Sequence, residues 1–176
     1  PWGAAAPSAA TPAVVPDAAV PATAPKPLGA TLVLALVWPA AAVGFLWLAS
    51  AWRDRSQLVR DVVLLGSLAG ALNTATGAGA VMGVVFGAAN AVQALTCCWV
   101  LLRLQERWHL PVWRLRRSAD LGALVLASAA GSAVAGLIGP VGLWATGSGS
   151  LLPLMAAWTL RNAASTFVLA ALALRL

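Results

Sequence analysis

Residues 78–104, AGAVMGVVFGAANAVQALTCCWVLLRL, contain a single charged side chain, Arg103. About 20 consecutive apolar residues at 1.5 Å each cover the ~30 Å hydrocarbon layer of a bilayer, so this stretch is long enough to cross one as a helix. Lipid offers the backbone no hydrogen-bonding partner, and the chain lacks the alternating ten-residue segments of a barrel, so helices follow. Outward from this stretch, residues 29–52, 58–76, 121–144 and 151–174 come close to the same criterion or meet it. The expected fold class is an all-α membrane protein, a polytopic bundle of about five transmembrane helices. Composition agrees: 61% of the 176 residues are hydrophobic and 9% charged, where a soluble domain carries roughly 25% charged residues.

Residues 1–27 hold seven of the eleven prolines in a background of Ala, Val, Ser and Thr, with Asp17 and Lys26 as the only charges. Each proline removes a donor and fixes φ, and there is little bulky apolar surface to bury, so a disordered Pro/Ala-rich linker is expected. It lacks the basic start and unbroken apolar core of a signal peptide. Beginning at Pro1 without Met, the chain reads as processed or cut. Residues 28–176 form the second unit, the transmembrane domain. Within its first stretch, Pro39 allows either a kinked helix or a short re-entrant or interfacial piece up to Trp38 followed by a helix that starts at Pro39, where a missing N–H costs nothing. The second stretch begins beside Asp61 and ends in Asn73-Thr74-Ala75-Thr76-Gly77, making it the least regular.

Charge placement predicts orientation. Arg53, Arg55 and Arg60 follow the first stretch, Arg103, Arg107, Arg114, Arg116 and Arg117 the third, and Arg175 the fifth. The connections near residue 77 and over 145–150 carry no charge. Such alternation fits the positive-inside rule, with the N-terminus outside, the C-terminus in the cytoplasm, and a multi-pass location in the cell inner membrane. Trp52, Trp108, Trp113 and Trp144 fall near the proposed boundaries, where indole prefers to sit. The net charge of +6 is thus a marker of topology, and no nucleic acid is expected as a partner; the lipid bilayer is.

Gly79, Gly83 and Gly87 form a tandem small-xxx-small ladder, continued by Asn90 and Ala94. Gly66, Gly70 and Thr74 repeat the spacing, as do Ser128, Ser132 and Gly136. Such faces let helix backbones approach closely where lipid supplies no hydrophobic drive between helices. Spacing leaves open whether the contacts fall within one chain or between two, so a homodimer remains among the partners.

Few polar residues lie at depth: Asn73, Asn90, Gln93, Arg161 and Asn162, with hydroxyls at Thr96, Thr159, Ser165 and Thr166. Arg161 stands ten residues after Leu151, about 15 Å below the outer helix start. An arginine at that depth costs about 2.5–3.5 kcal/mol on the insertion scale, and no carboxylate lies within a span to offset it. One reading turns Arg161 inward, where Asn90 and Gln93, one helical turn apart, and Asn162 form a ligand-binding site for an unknown small polar or anionic ligand. The other is a structural arginine that snorkels or bonds to carbonyls freed near Gly139-Pro140. His109 is the single histidine, and no catalytic motif or carboxylate pair is present, so neither an enzyme nor a cofactor nor a metal site is expected. Cys97 and Cys98, adjacent in an apolar run, read as small filler.

The chain resembles the first class of MASE (membrane-associated sensor) domains of bacterial signalling proteins. The resemblance is carried by Val37-Trp38-Pro39-Ala40-Ala41-Ala42, by Ala88-Ala89-Asn90-Ala91-Val92-Gln93-Ala94-Leu95 leading to Trp99-Val100-Leu101-Leu102-Arg103-Leu104, by Arg114-Leu115-Arg116-Arg117-Ser118-Ala119-Asp120, and by Trp158-Thr159-Leu160-Arg161-Asn162. It implies a noncatalytic sensory input domain relaying a stimulus to a cytoplasmic output domain such as a diguanylate cyclase, a cyclic-di-GMP phosphodiesterase or a histidine kinase. The family often has Glu where Gln93 stands and Asp where Asn162 stands, so acidic chemistry at those positions does not carry over. The family usually has more helices, which implies a domain incomplete at its C-terminal side. The alternatives are a small-solute transporter or channel component, for which no inverted repeat is visible, and a structural membrane subunit.

Overall fold

The computed structural model describes residues 39–105, 115–147 and 150–175. The expected linker over 1–27, the stretch up to Trp38, and Arg107, Trp108, His109, Trp113 and Arg114 lie outside the described residues. Five α-helices account for nearly all the rest: α1 Pro39–Ala51, α2 Arg55–Asn73, α3 Ala80–Leu104, α4 Ser118–Ala145 and α5 Leu151–Ala173. Among the described residues there is no strand, and the protein is an all-α bundle.

α1 is described from Pro39 to Ala51; the two readings of Pro39 turn on the residues before it, which lie outside the described residues. At 13 residues, α1 rises about 20 Å, short of a ~30 Å hydrocarbon layer. Among the described residues, three helical segments are long and apolar enough to cross a membrane: Arg55–Ala78, Ala80–Leu104 and Ser118–Ala145. The 23-residue α5 has the length but carries Arg161 and Asn162 at its middle, which lowers its apolar character.

Helix ends follow local chemistry. Asp54 caps α2: its Oδ1 accepts from the Ser56 N–H at 2.9 Å, the Ser56 hydroxyl at 2.7 Å and the Gln57 N–H at 3.2 Å. These donors, the Ser56 hydroxyl foremost, hold its carboxyl below the ordinary value of 3.8. A carboxylate with a depressed pKa stabilises the fold above its unfolded-state pKa, and that contribution is lost as pH falls through the folded value. A carboxyl-carbon NMR titration in micelles should therefore place the Asp54 midpoint below 3.8; a midpoint at or above it would remove the cap. At the far end of α2, Asn73, Thr74 and Thr76 direct side-chain donors to the carbonyls of Ala69, Gly70 and Leu72, turning their polar groups back onto the helix backbone. The chain then passes through a π-turn, Thr74–Ala78, and reverses at Gly77 (φ 100°) and Gly79 (φ 79°), backbone conformations that side chains with a Cβ rarely adopt.

Packing is organised around α3, which lies against α1, α2 and α4; α4 packs on α5, and α1 closes the arrangement by touching α2 and α5. The α2–α3 seam uses the small residues. A Cβ added at Gly87 would overlap the Gly66 carbonyl oxygen, and one at Gly83 would overlap Thr74 Oγ1 and come within 2.8 Å of the Gly70 oxygen. Gly70 approaches the Gly83 oxygen similarly, whereas a Cβ at Gly66 would meet only ordinary contacts at 3.6 Å. Gly79 departs from the expected ladder. It caps α3 with positive φ, and a Cβ there would meet nothing within 4 Å, so its place is in the turn and not in the helix seam. Around α1, Phe45, Leu48, Cys97, Cys98, Leu101, Leu124 and Ala170 form the apolar core, and the Cys98 thiol donates to the Phe45 carbonyl at 3.4 Å.

Candidate functional site

The polar residues at depth cluster where α3, α4 and α5 meet. Gln93, from the buried face of α3, is 1% exposed. Its Nε2 donates to Ser132 Oγ of α4 at 3.1 Å and to Thr166 Oγ1 of α5 at 3.2 Å, and both hydroxyls are fully buried. One amide thus ties three helices together inside an apolar layer. Close approach makes this reach feasible: a Cβ at Gly131 would overlap the Cys97 sulfur and lie 2.7 Å from the Gln93 carbonyl oxygen. On the other side of α4, Thr159 Oγ1 donates to the Ser132 carbonyl at 3.5 Å, and Gly136 leaves room for that threonine.

Asn90, one turn before Gln93, is also buried and donates from Nδ2 to the Phe86 carbonyl of its own helix at 2.7 Å. Asn162 is 1% exposed, and its Oδ1 accepts no hydrogen bond among the described residues; nor does Ser128 Oγ of α4 find a partner there. Buried polar atoms are satisfied in the great majority of cases, so each of these two has hydrogen-bonding capacity to offer.

Arg161 lies half-buried on α5, with its guanidinium carbon 5.1 Å from the centroid of the Trp158 ring one turn back. That ring meets Phe86 of α3 at 5.3 Å in a tilted pair and rests against Gly139 of α4. Stacking on indole compensates part of the cost of placing a cation at this depth. Arg161 Nε and Trp158 Nε1 are both buried without an acceptor among the described residues. A Cβ at Gly139 would meet the Trp158 ring, so the glycine gives that ring its place against α4.

The four residues expected to form one site therefore divide between two adjacent settings. Gln93 belongs to a closed hydrogen-bonded bridge; Arg161 belongs to an aromatic stack with Trp158 and Phe86. Asn90 and Asn162 are buried on the helices that carry these groups. Ser132, Thr166 and Trp158 were not among the expected site residues. Their signal was present in sequence as hydroxyls at i and i+4 on α4, Ser128 and Ser132, and at i and i+7 on α5, Thr159 and Thr166.

Away from this layer, Asp61 is 2% exposed at the start of α2. It accepts from Trp47 Nε1 of α1 at 3.1 Å and from Arg60 Nε at 3.2 Å, pinning α1 to α2 at the arginine-bearing end. Arg103, near the end of α3, covers the exposed Trp99 ring at 5.5 Å, an amphipathic pair suited to a membrane boundary. Among the described residues no group of three or more His, Cys, Asp or Glu side chains is placed to hold a metal.

Fold and layer together define a helical membrane protein with a polar centre. Comparisons with protein-family models, with curated proteins and with solved structures find no match to this chain.

Proposed function

We propose that this chain is a noncatalytic sensory module of a bacterial inner membrane, in which occupancy of the polar layer shifts the packing of α5 against α3 and α4. The observation that carries the reading is the pairing of a three-helix hydrogen-bonded bridge at Gln93 with an intramembrane cation, Arg161, beside acceptors and donors that lack partners. Ionisable residues at such depth are costly and default to function. The arginine-bearing end is the cytoplasmic one on the positive-inside rule, so α5 would deliver a change toward the cell interior. Resemblance to the MASE sensors supports an output domain of the cyclase, phosphodiesterase or histidine-kinase kind in the full-length protein.

A ligand moves a two-state equilibrium only by its differential affinity for the two states. Arg161→Ala removes the cation while leaving the Gln93 bridge, so insertion should persist and the balance should change. In cells making the full-length protein, the variant should alter the output of the attached domain by about fivefold or more at equal membrane abundance. Unchanged output at equal abundance overturns the site. Solute flux in liposomes carrying the protein would instead favour a transporter.

A further inference from the structure

At the arginine-bearing end of the bundle, a cavity of about 270 Å³ is lined by Leu115, Arg116, Arg117, Ser118, Leu121 and Arg175. Two distant parts of the chain build it: the segment entering α4 and the residues just beyond α5. They meet where the Leu115 N–H donates to the Leu174 carbonyl at 3.4 Å. Asp120, the carboxylate closest in sequence, is already committed to the backbone. Its Oδ2 accepts from the Arg116 N–H at 3.0 Å and the Arg117 N–H at 2.9 Å. The one ion pair among the described residues is Arg60–Asp61, so three arginines, Arg116, Arg117 and Arg175, line one hollow with no described carboxylate in ion-pair contact.

Gathering like charges is unfavourable unless an anion offsets them, and guanidinium forks match phosphate oxygens in two-point hydrogen bonding. Leu115 and Leu121 give the same hollow an apolar wall. Because α4 begins at Ser118 and is long and apolar enough to cross a bilayer, the hollow sits at the level where lipid headgroups meet acyl chains. We propose that it binds the phosphate headgroup of an anionic phospholipid, with Arg116, Arg117 and Arg175 on the phosphate and the lipid's apolar part against Leu115 and Leu121. Basic pockets between helices on this side of a membrane suit such headgroups.

The test is binding of labelled phosphatidylglycerol to the purified protein in neutral micelles, with phosphatidylcholine as the uncharged comparison. The wild type should bind the first saturably and the second not. Each arginine removed should weaken binding about fivefold, the factor corresponding to roughly 1 kcal/mol per basic residue near a membrane surface. The triple replacement Arg116→Gln, Arg117→Gln, Arg175→Gln should therefore lose about a hundredfold. A matched triple, Arg53→Gln, Arg55→Gln, Arg103→Gln, removes the same charge away from the hollow and should stay close to wild type. If the first triple fails to fold, Arg175→Gln alone, beyond the last helix, should still show its fivefold loss. Undiminished binding in the hollow's variants, or equal loss in both sets, overturns the site. Complete displacement of the lipid by millimolar inorganic phosphate would assign the hollow to the free anion and overturn the lipid assignment.

Discussion

Gly87→Leu should lower the unfolding free energy of the protein in micelles by about 3 kcal/mol, at the upper end of what overpacking costs. The reason is what the new side chain would meet. A Cβ at Gly87 overlaps the Gly66 carbonyl oxygen and stands 3.1 Å from the Gly70 nitrogen. Both obstacles are backbone, which cannot rotate away as the end of a side chain can, so α2 and α3 must separate along their seam. In lipid the loss falls on dispersion and close backbone contact, since no hydrophobic drive presses the helices together. The matched comparison is Gly122→Ala, inside α4, where an added Cβ meets nothing within 4 Å. That change should be neutral or stabilise by up to about 1 kcal/mol, because glycine weakens a helix interior. Steric-trapping or denaturant measurements that find Gly87→Leu as stable as wild type would mean the two helices do not touch there.

The second large effect is expected at Gln93. Gln93→Ala removes two interhelical hydrogen bonds, each averaging about 0.6 kcal/mol in membrane proteins and reaching about 1.7, and empties the volume of a fully buried side chain. A total loss of about 2–3 kcal/mol follows. Cavity and hydrogen bond can be separated by a double-mutant cycle with Ser132→Ala, which should return a coupling of about 0.6–1.7 kcal/mol. Additive losses would show that the amide fills space without bridging α3 and α4. Thr166→Val supplies the corresponding cycle toward α5.

Much of the bundle could be read from residue order because a bilayer-length apolar run marks each long helix. The uncharged Thr-Gly run after Asn73 closes α2 as expected, whereas its start lies at Arg55, three residues before the expected 58, because Asp54 caps it. The glycine spacing likewise pointed to close packing, and Gly70, Gly83 and Gly87 do lie where a Cβ would press on a neighbouring backbone. The same spacing misplaced Gly79, since a periodicity of four says nothing about which glycine is the last inside a helix and which turns the chain. Asp61 shows what residue order leaves out: Trp47 of the preceding helix covers it and supplies a donor.

For the candidate site, residue type was informative and partnership was not. Asn90, Gln93, Arg161 and Asn162 stood out because polar groups at depth are expensive and therefore rare. Which of them would join could not be inferred, because Gln93 can reach hydroxyls on two other helices once α3, α4 and α5 are fixed. Arg161 turns toward Trp158, three residues back, since long helical side chains lean over the preceding turn.

Sequence alone determined that this protein is a bundle of apolar helices with most of its arginines in alternate connections, because a bilayer sets the same length and polarity conditions on every spanning segment whatever its neighbours are. Tertiary structure decided which small residues form seams, which polar atoms are satisfied, and that Arg116, Arg117 and Arg175 share one hollow. Those outcomes depend on distances between helices far apart in the chain, and the spacing of residues along one helix does not specify its partner.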